Sequence, residues 1–167
     1  MNQTQDRLGT QRDEAQLRYL RAAEYAQEKR YAEAEAEFIA TLEIDPALYT
    51  CRFQLGLLQL TNAEVDKARD TWARLYAADV PADLQYFSRG LEAMIVDDFN
   101  TAIELLRQGM ALNHSNPALN RDMQMVIDKM EATIAANSAN TGVENPPEPP
   151  RDQQPRTDFS LYDKNKN

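Results

Sequence analysis

Apolar residues along this chain recur at i, i+3 and i+4 spacing within short segments that polar residues separate. One segment carries Phe53, Leu57 and Leu60 on a single face, and the next carries Val65 and Trp72 on another. This spacing is typical of amphipathic helices, and each segment is long enough for roughly 14 helical residues. The pattern predicts six paired helices at residues 15–28 and 31–44, 49–62 and 65–78, and 83–96 and 99–112.

The paired segments repeat with a period of 34 residues. Five sets of three residues, each spaced 34 positions apart, have the same character. Two of these series consist of small residues, and three consist of large or aromatic residues. The series are Ala22/Gly56/Gly90, Ala34/Ala68/Ala102, Phe38/Trp72/Leu106, Tyr31/Val65/Phe99 and Tyr19/Phe53/Phe87. Small residues on both helices of a pair allow close approach, and a larger side chain there costs about 1–3 kcal/mol by overpacking. The chain therefore contains three helix–turn–helix repeats.

The segments outside the repeats differ in character. Residues 1–14 are mostly polar and are predicted to form a flexible N-terminus. After the third repeat, an apolar stripe from Pro117 to about residue 137 predicts a helix that covers the last repeat, with Ser115 or Asn116 as its cap. Residues 138–167 contain a run of prolines, which predicts a disordered tail. The domain is thus expected to span residues 15–137.

Composition and charge argue against several classes of function. The net charge of −9 and the absence of a basic cluster argue against nucleic acid as a partner. No run of apolar residues is long enough to cross a bilayer, and residues 1–7 lack the features of a signal peptide, so a cytoplasmic location is expected. Cys51 is interpreted as a small, partly buried filler, and His114 as an exposed turn residue. No catalytic motif, metal site or cofactor site is predicted, and we do not expect an enzyme.

The repeats resemble the tetratricopeptide repeat family, in which small residues, aromatics, an alanine and a proline stand at fixed offsets in a 34-residue helix–turn–helix unit. The first unit matches with Ala22, Tyr25, Ala34, Phe38 and Pro46. The second and third units keep Gly56, Ala68 and Trp72, and Gly90, Ala102 and Leu106. The resemblance implies an all-α, right-handed superhelix whose concave face binds a peptide segment of another protein.

Two features depart from the family pattern. Arg18, Arg21, Arg52 and Arg89 stand where large apolar groups are usual, and the turn glycine is absent. We expect Asn62 and Asp97 to adopt the left-handed conformation in its place.

An apolar ladder, one rung per unit, is the candidate peptide-binding groove. The helical period places on this face Tyr19, Ala23 and Ala26, then Phe53, Leu57 and Leu60, then Phe87, Leu91 and Met94. Contiguous exposed apolar surface marks interaction sites, so these residues would bind an apolar segment. In the alternative interpretation they are core side chains between helices. Their apolar character excludes the family's other groove, a carboxylate clamp of Lys, Asn and Arg.

A narrower resemblance is to the chaperones of type III secretion translocators, which are acidic three-repeat proteins with an apolar groove. That family has a helical extension before its first repeat, which this sequence does not predict. We therefore expect a non-catalytic adaptor or chaperone for an apolar segment of a partner protein, including a role in bacterial secretion or pilus assembly. The alternative is a structural subunit whose groove is filled by a neighbouring chain.

The tail holds one apolar cluster, formed by Phe159, Leu161 and Tyr162. Because it is tethered to the domain, it is a candidate placeholder for the groove. The alternatives are a solubilising tail and a docking motif for a third protein.

Overall fold

The structure, a computed structural model, describes residues 3–140, with the side chains of Arg7 and of residues 9–139. This part of the chain forms helices without strands, which confirms the all-α prediction. The helices are α1 (Gln3–Gln27), α2 (Tyr31–Ile44), α3 (Tyr49–Thr61), α4 (Val65–Ala73, followed by a 3₁₀ turn at Arg74–Tyr76), α5 (Ala82–Ile95), α6 (Phe99–Leu112) and α7 (Pro117–Asn140).

The helices pack chiefly as consecutive pairs: α1 with α2, α3 with α4, and α5 with α6. The two helices of a pair are separated by only three residues, so each pair is an antiparallel hairpin. The second hairpin joins the first through α2 and α3, and α7 packs on α6. Within residues 3–140 no helix is both long enough and apolar enough to span a membrane.

The first helix begins much earlier than predicted. Residues 3–14, expected to be a flexible N-terminus, belong to the helix α1. The described side chains before Ala15 are exposed, so this stretch has no apolar periodicity to reveal it. Glutamine, arginine and glutamate in this stretch favour a helix by intrinsic propensity, whereas Gly9 and the threonine and aspartate residues do not.

The helix α7 begins as predicted and ends three residues later than predicted, at Asn140 rather than residue 137. The side chain of Asn116 caps it, because Asn116 Oδ1 accepts a 3.0 Å hydrogen bond from the backbone N–H of Leu119. Its buried stripe consists of Leu119, Met123, Val126, Ile127 and Met130. The remainder of the predicted tail, residues 141–167 with Phe159, Leu161 and Tyr162, lies outside the described residues.

The turn inside each hairpin has the same backbone conformation. Lys29, Ala63 and Asp97 have φ of 61°, 62° and 60°, and they stand 34 residues apart. Asp97 is therefore left-handed as predicted. The prediction for Asn62 is wrong, since its φ is −82° and the next residue takes the left-handed position.

A pair of crossing hydrogen bonds closes each of these turns. In the second hairpin, the N–H of Glu64 donates to Gln59 O at 2.8 Å, and the N–H of Ala63 donates to Leu60 O at 3.0 Å. The same two bonds occur at Arg30 and Lys29 and at Asp98 and Asp97. This is the Schellman arrangement, which satisfies the last carbonyl groups of a helix.

The small residues of the 34-residue period lie where the helices of a hairpin approach most closely. A Cβ atom placed on Gly56 would lie 2.6 Å from Cδ1 and Cε2 of Trp72. One placed on Gly90 would lie 2.8 Å from Cδ2 of Leu106 and 3.2 Å from the carbonyl oxygen of Ala102. In the third hairpin Gly90 thus approaches the backbone of Ala102, as predicted, whereas in the second hairpin the space beside Gly56 is taken by the ring of Trp72.

The left-handed turns give a first testable prediction, for which Ala63 is the best site. An L-residue in this conformation costs about 1–2 kcal/mol, whereas glycine loses roughly 0.5–1 kcal/mol more backbone entropy on folding. We therefore expect Ala63→Gly to raise the free energy of unfolding by up to about 1 kcal/mol. Urea unfolding followed by circular dichroism measures this change.

Ala77 provides the matched control, because it is exposed and its φ is −74°. There glycine relieves no strain, and Ala77→Gly should leave stability unchanged or lower it. If both substitutions lowered stability equally, the left-handed turn at Ala63 would be contradicted.

Candidate interaction surface

Most of the predicted apolar ladder is buried. Phe53 and Phe87, the aromatic members of the second and third units, have no exposed surface. Leu57, Leu91 and Met94 are at most 5% exposed. The prediction that these five residues form exposed apolar surface is therefore wrong, and the alternative interpretation, that they are core side chains, is confirmed for them. Ala26, assigned to the same face, is also buried.

The aromatic side chains of the ladder contact one another and the second helix of the hairpin. The rings of Phe53 and Trp72 are stacked, with centroids 6.2 Å apart, and the Phe53 and Phe87 centroids are 6.0 Å apart. Trp72 Nε1 donates a buried 3.1 Å hydrogen bond to the carbonyl oxygen of Phe53. Phe87 packs over Gly109 of α6, where an added Cβ would lie 2.6 Å from its ring. The ladder therefore holds the second and third hairpins together.

Three predicted groove residues remain partly accessible: Tyr19, Ala23 and Leu60. Tyr19 packs against Phe38, with ring centroids 6.1 Å apart, and burial raises the pKa of its hydroxyl. Leu60 packs at the edge of the large core cluster that contains Phe53. Among the predicted groove residues, Tyr19 and Ala23 are therefore the two that lie near each other, on α1, and are both partly accessible.

Two exposed leucines that the sequence analysis did not select extend this accessible surface. Leu17 is 58% exposed and Leu20 is 51% exposed. At 100° per residue, Leu17, Leu20, Ala23 and Tyr19 fall within one arc of α1, in which the exposed Gln16 and Glu24 stand between them. We call these four residues the α1 apolar face. Exposure, which requires coordinates, was the signal that identified its two leucines.

Arginine side chains on α1 pair with a glutamate of α2 instead of lying along apolar surface. Arg18 Nη1 and Arg21 Nη1 donate to the two carboxylate oxygens of Glu37 at 3.1 and 3.4 Å. Arg18 Nε also donates to Glu14 at 3.2 Å, and these hydrogen bonds to Glu14 and Glu37 raise the pKa of the Arg18 guanidinium. These ion pairs link α2 to α1.

Two clefts open on the surface elsewhere. The larger, of about 560 Å³, lies between α6 and α7 and is lined in part by Ile103, Arg107 and Ile134. The smaller, of about 280 Å³, lies at the start of α5 and α7, and the exposed His114 is among its lining residues. The interpretation of His114 as an exposed turn residue is confirmed.

Cys51 lies on α3, in the core cluster between this helix and the first hairpin. Its Sγ donates to the carbonyl oxygen of Phe38 at 3.6 Å, and burial raises the pKa of the thiol to about 12, against a weaker lowering by Arg52. The interpretation of Cys51 as a buried filler is confirmed. Among the described residues, no three side chains of His, Cys, Asp or Glu are grouped to hold a metal ion.

Comparison with known proteins adds no relative: no protein-family model, no curated protein and no solved structure matches this chain.

Burial of the ladder predicts the result of truncating it. Phe53→Ala and Phe87→Ala should each lower the free energy of unfolding by about 3–5 kcal/mol, because each removes a fully buried ring. Leu20→Ala, on the exposed α1 apolar face, should change it by less than about 0.5 kcal/mol. Urea unfolding measures all three. A loss at Phe53 as small as that at Leu20 would show that the ladder is not core.

The state of Cys51 predicts slow thiol modification. Because the raised pKa keeps the buried thiol protonated at pH 8, a thiol reagent should modify the folded protein only as fast as α3 separates from the first hairpin. In denaturant the same reagent should react at once. Spectroscopic timing of the modification measures both rates, and immediate reaction of the folded protein would contradict the burial.

Proposed function

We propose that this protein is a non-catalytic protein–protein interaction module, an adaptor or chaperone that binds an apolar segment of a partner. The observation that carries the proposal is the repetition of one hairpin at a 34-residue period. The same left-handed turn recurs at Lys29, Ala63 and Asp97, and small residues recur at the helix contacts. Arrays of such hairpins present extended surfaces that bind polypeptide segments.

The finer architecture of the proposal follows the resemblance to tetratricopeptide repeats. Three hairpins would form a right-handed superhelix, and α7 would cover its end. In support, α7 begins 34 residues after Asp83, in the first turn of α5, so it stands at the position of a fourth first helix. Its apolar stripe, which includes Met123 and Ile127, is buried in the same cluster as Phe87.

The partner would bind the α1 apolar face and not the ladder. The buried ladder residues could contact a side chain of the partner only if the helices around them unfolded. Leu17 and Leu20 are exposed to solvent in the folded protein. Covering two exposed leucines stabilises a complex by roughly 1.5–3 kcal/mol each at most, before the costs of association. The partner segment would therefore supply apolar side chains that match Leu17, Leu20, Tyr19 and Ala23.

The resemblance to translocator chaperones is part of this proposal, as is a role in secretion or pilus assembly. The difference noted from sequence was the lack of a helical extension before the first repeat. The helix α1 starts at Gln3, twelve residues before Ala15, so it supplies an extension of this kind. This observation favours the chaperone interpretation over an unrelated adaptor.

Leu20→Asp tests the binding surface. We expect it to reduce recovery of partner proteins in affinity purification at least tenfold, because burying an unpaired carboxylate in an apolar contact is unfavourable. Mass spectrometry of the recovered proteins measures the loss for each partner.

Ile39→Asp is the matched control, since Ile39 is 43% exposed and lies on α2, outside the α1 apolar face. It should leave recovery unchanged. Equal loss with both variants, or no loss with Leu20→Asp, would contradict the proposed surface. Analytical ultracentrifugation separates the alternative of a structural subunit: a homo-oligomer that dissociates on dilution, and that Leu20→Asp disrupts, would favour it.

A further inference from the structure

The buried apolar side chains form two clusters, and among the described helices α3 contributes to both. Leu55 and Leu58 belong to the smaller cluster, together with residues of α1 and α2. Phe53 and Leu57 belong to the larger cluster, which continues through the second and third hairpins to α7. The contacts that hold the first hairpin are therefore different from those that hold the rest of the array.

The smaller cluster buries little apolar area. Three of the seven described residues that are buried in it are alanines, and the stabilisation from burial falls with the apolar area of a side chain. Its large buried side chains are Phe38 on α2, and Leu55 and Leu58 on α3. Tyr19 and Tyr25 pack against it but remain partly accessible. Separating the first hairpin from α3 therefore exposes far less apolar surface than unfolding the larger cluster.

The polar contacts across the joint between α2 and α3 can be exchanged for water. Gln59 Nε2 on α3 donates to Glu35 Oε1 on α2 at 3.1 Å, and Lys67 Nζ on α4 lies 3.9 Å from the same oxygen. Gln59 Oε1 also accepts a 2.7 Å hydrogen bond from Thr71 on α4. When α2 moves away, Gln59 keeps its bond to Thr71, and Glu35, whose side chain is already 22% exposed, becomes hydrated. Because a hydrogen bond that is replaced by one to water costs little net free energy, this network does not lock the joint.

We propose that the first hairpin opens away from α3 as one unit while the second and third hairpins and α7 stay folded. The hinge is the short connection 45–48, which lies between α2 and α3 and belongs to neither helix. Within the moving unit, the ion pair of Arg18 with Glu37 is retained. Opening uncovers Leu55 and Leu58, so the closed form hides an apolar surface on α3 that the open form presents to solvent. Openings of this kind follow contiguous units whose stability is lower than that of the whole protein.

Thiol modification at two buried sites tests the proposal. Cys51 reports on the joint between α2 and α3, and Ser88→Cys places a thiol of similar size on α5, where Ser88 is fully buried. Mass spectrometry of digested protein after timed alkylation measures both sites in the same molecules. The ratio of the rate in unfolded protein to the rate in folded protein gives the protection of each site and removes differences in intrinsic reactivity. We expect the protection of Cys51 to be at least tenfold smaller than that of position 88.

A substitution in the larger cluster separates local opening from global unfolding. Ile103→Val removes one methyl group from a side chain that is 7% exposed, so it should speed modification at position 88 by roughly two- to tenfold. The rate at Cys51 should not change, because the open form keeps the larger cluster folded. Leu58→Ala is the matched control in the smaller cluster. It destabilises the closed form relative to both the open and the unfolded forms, so it should speed modification at both sites.

The urea dependence of the Cys51 rate gives a check in the unsubstituted protein. Because opening exposes less surface than unfolding, the logarithm of this rate should rise less steeply with urea than that of the unfolding equilibrium constant measured by circular dichroism. Equal slopes would overturn the proposal, as would equal protection at Cys51 and position 88, or equal acceleration of both sites by Ile103→Val. No step uses a partner protein, so the outcome is independent of the proposed function.

Discussion

The close approach of the helices within each hairpin is the constraint on which the rest of the structure depends. In the second hairpin, the ring of Trp72 occupies the volume that a side chain on Gly56 would need. From that position the indole stacks on Phe53 and donates to its carbonyl oxygen, and Phe53 in turn contacts Phe87 of the next hairpin. One missing Cβ therefore determines both the geometry inside a hairpin and the contact between hairpins.

The core that results is uneven along the chain. The second and third hairpins and α7 share one large cluster, in which Trp72, Phe87 and Met123 are fully buried. A separate and smaller cluster joins the first hairpin to α3, and it is formed by Ala22, Ala26, Ala34, Phe38, Cys51, Leu55 and Leu58. Alanine buries little apolar area, so this cluster contributes less to stability than the large one. The salt bridges of Arg18 and Arg21 with Glu37 are half-exposed and add only a little to it.

Sequence alone predicted the hairpins well and the binding surface poorly, for a physical reason. A 34-residue period in side-chain size reports contacts that every unit makes, so the roles of Gly56 and Gly90 followed from it. The helical period shows that Phe53, Leu57 and Leu60 share a face, but it does not show whether the next hairpin covers that face. The polar start of α1 has no packing signal at all. At the turn, Asn62 was chosen by propensity, whereas the hydrogen-bonding pattern places the left-handed residue at Ala63.

Burial of the ladder also determines which apolar side chains remain accessible to solvent. Each hairpin covers the aromatic face of its neighbour, so the apolar surface of the interior units is consumed in holding the units together. Within the described residues no hairpin packs against the outer side of the first helix, and Leu17 and Leu20 are exposed there. At the other end α7 has no second helix packed beside it within the described residues, and the cleft at Ile134 stays open. The aromatic contacts between the hairpins are thus buried, and the accessible apolar surface described above lies on α1 and in the cleft between α6 and α7.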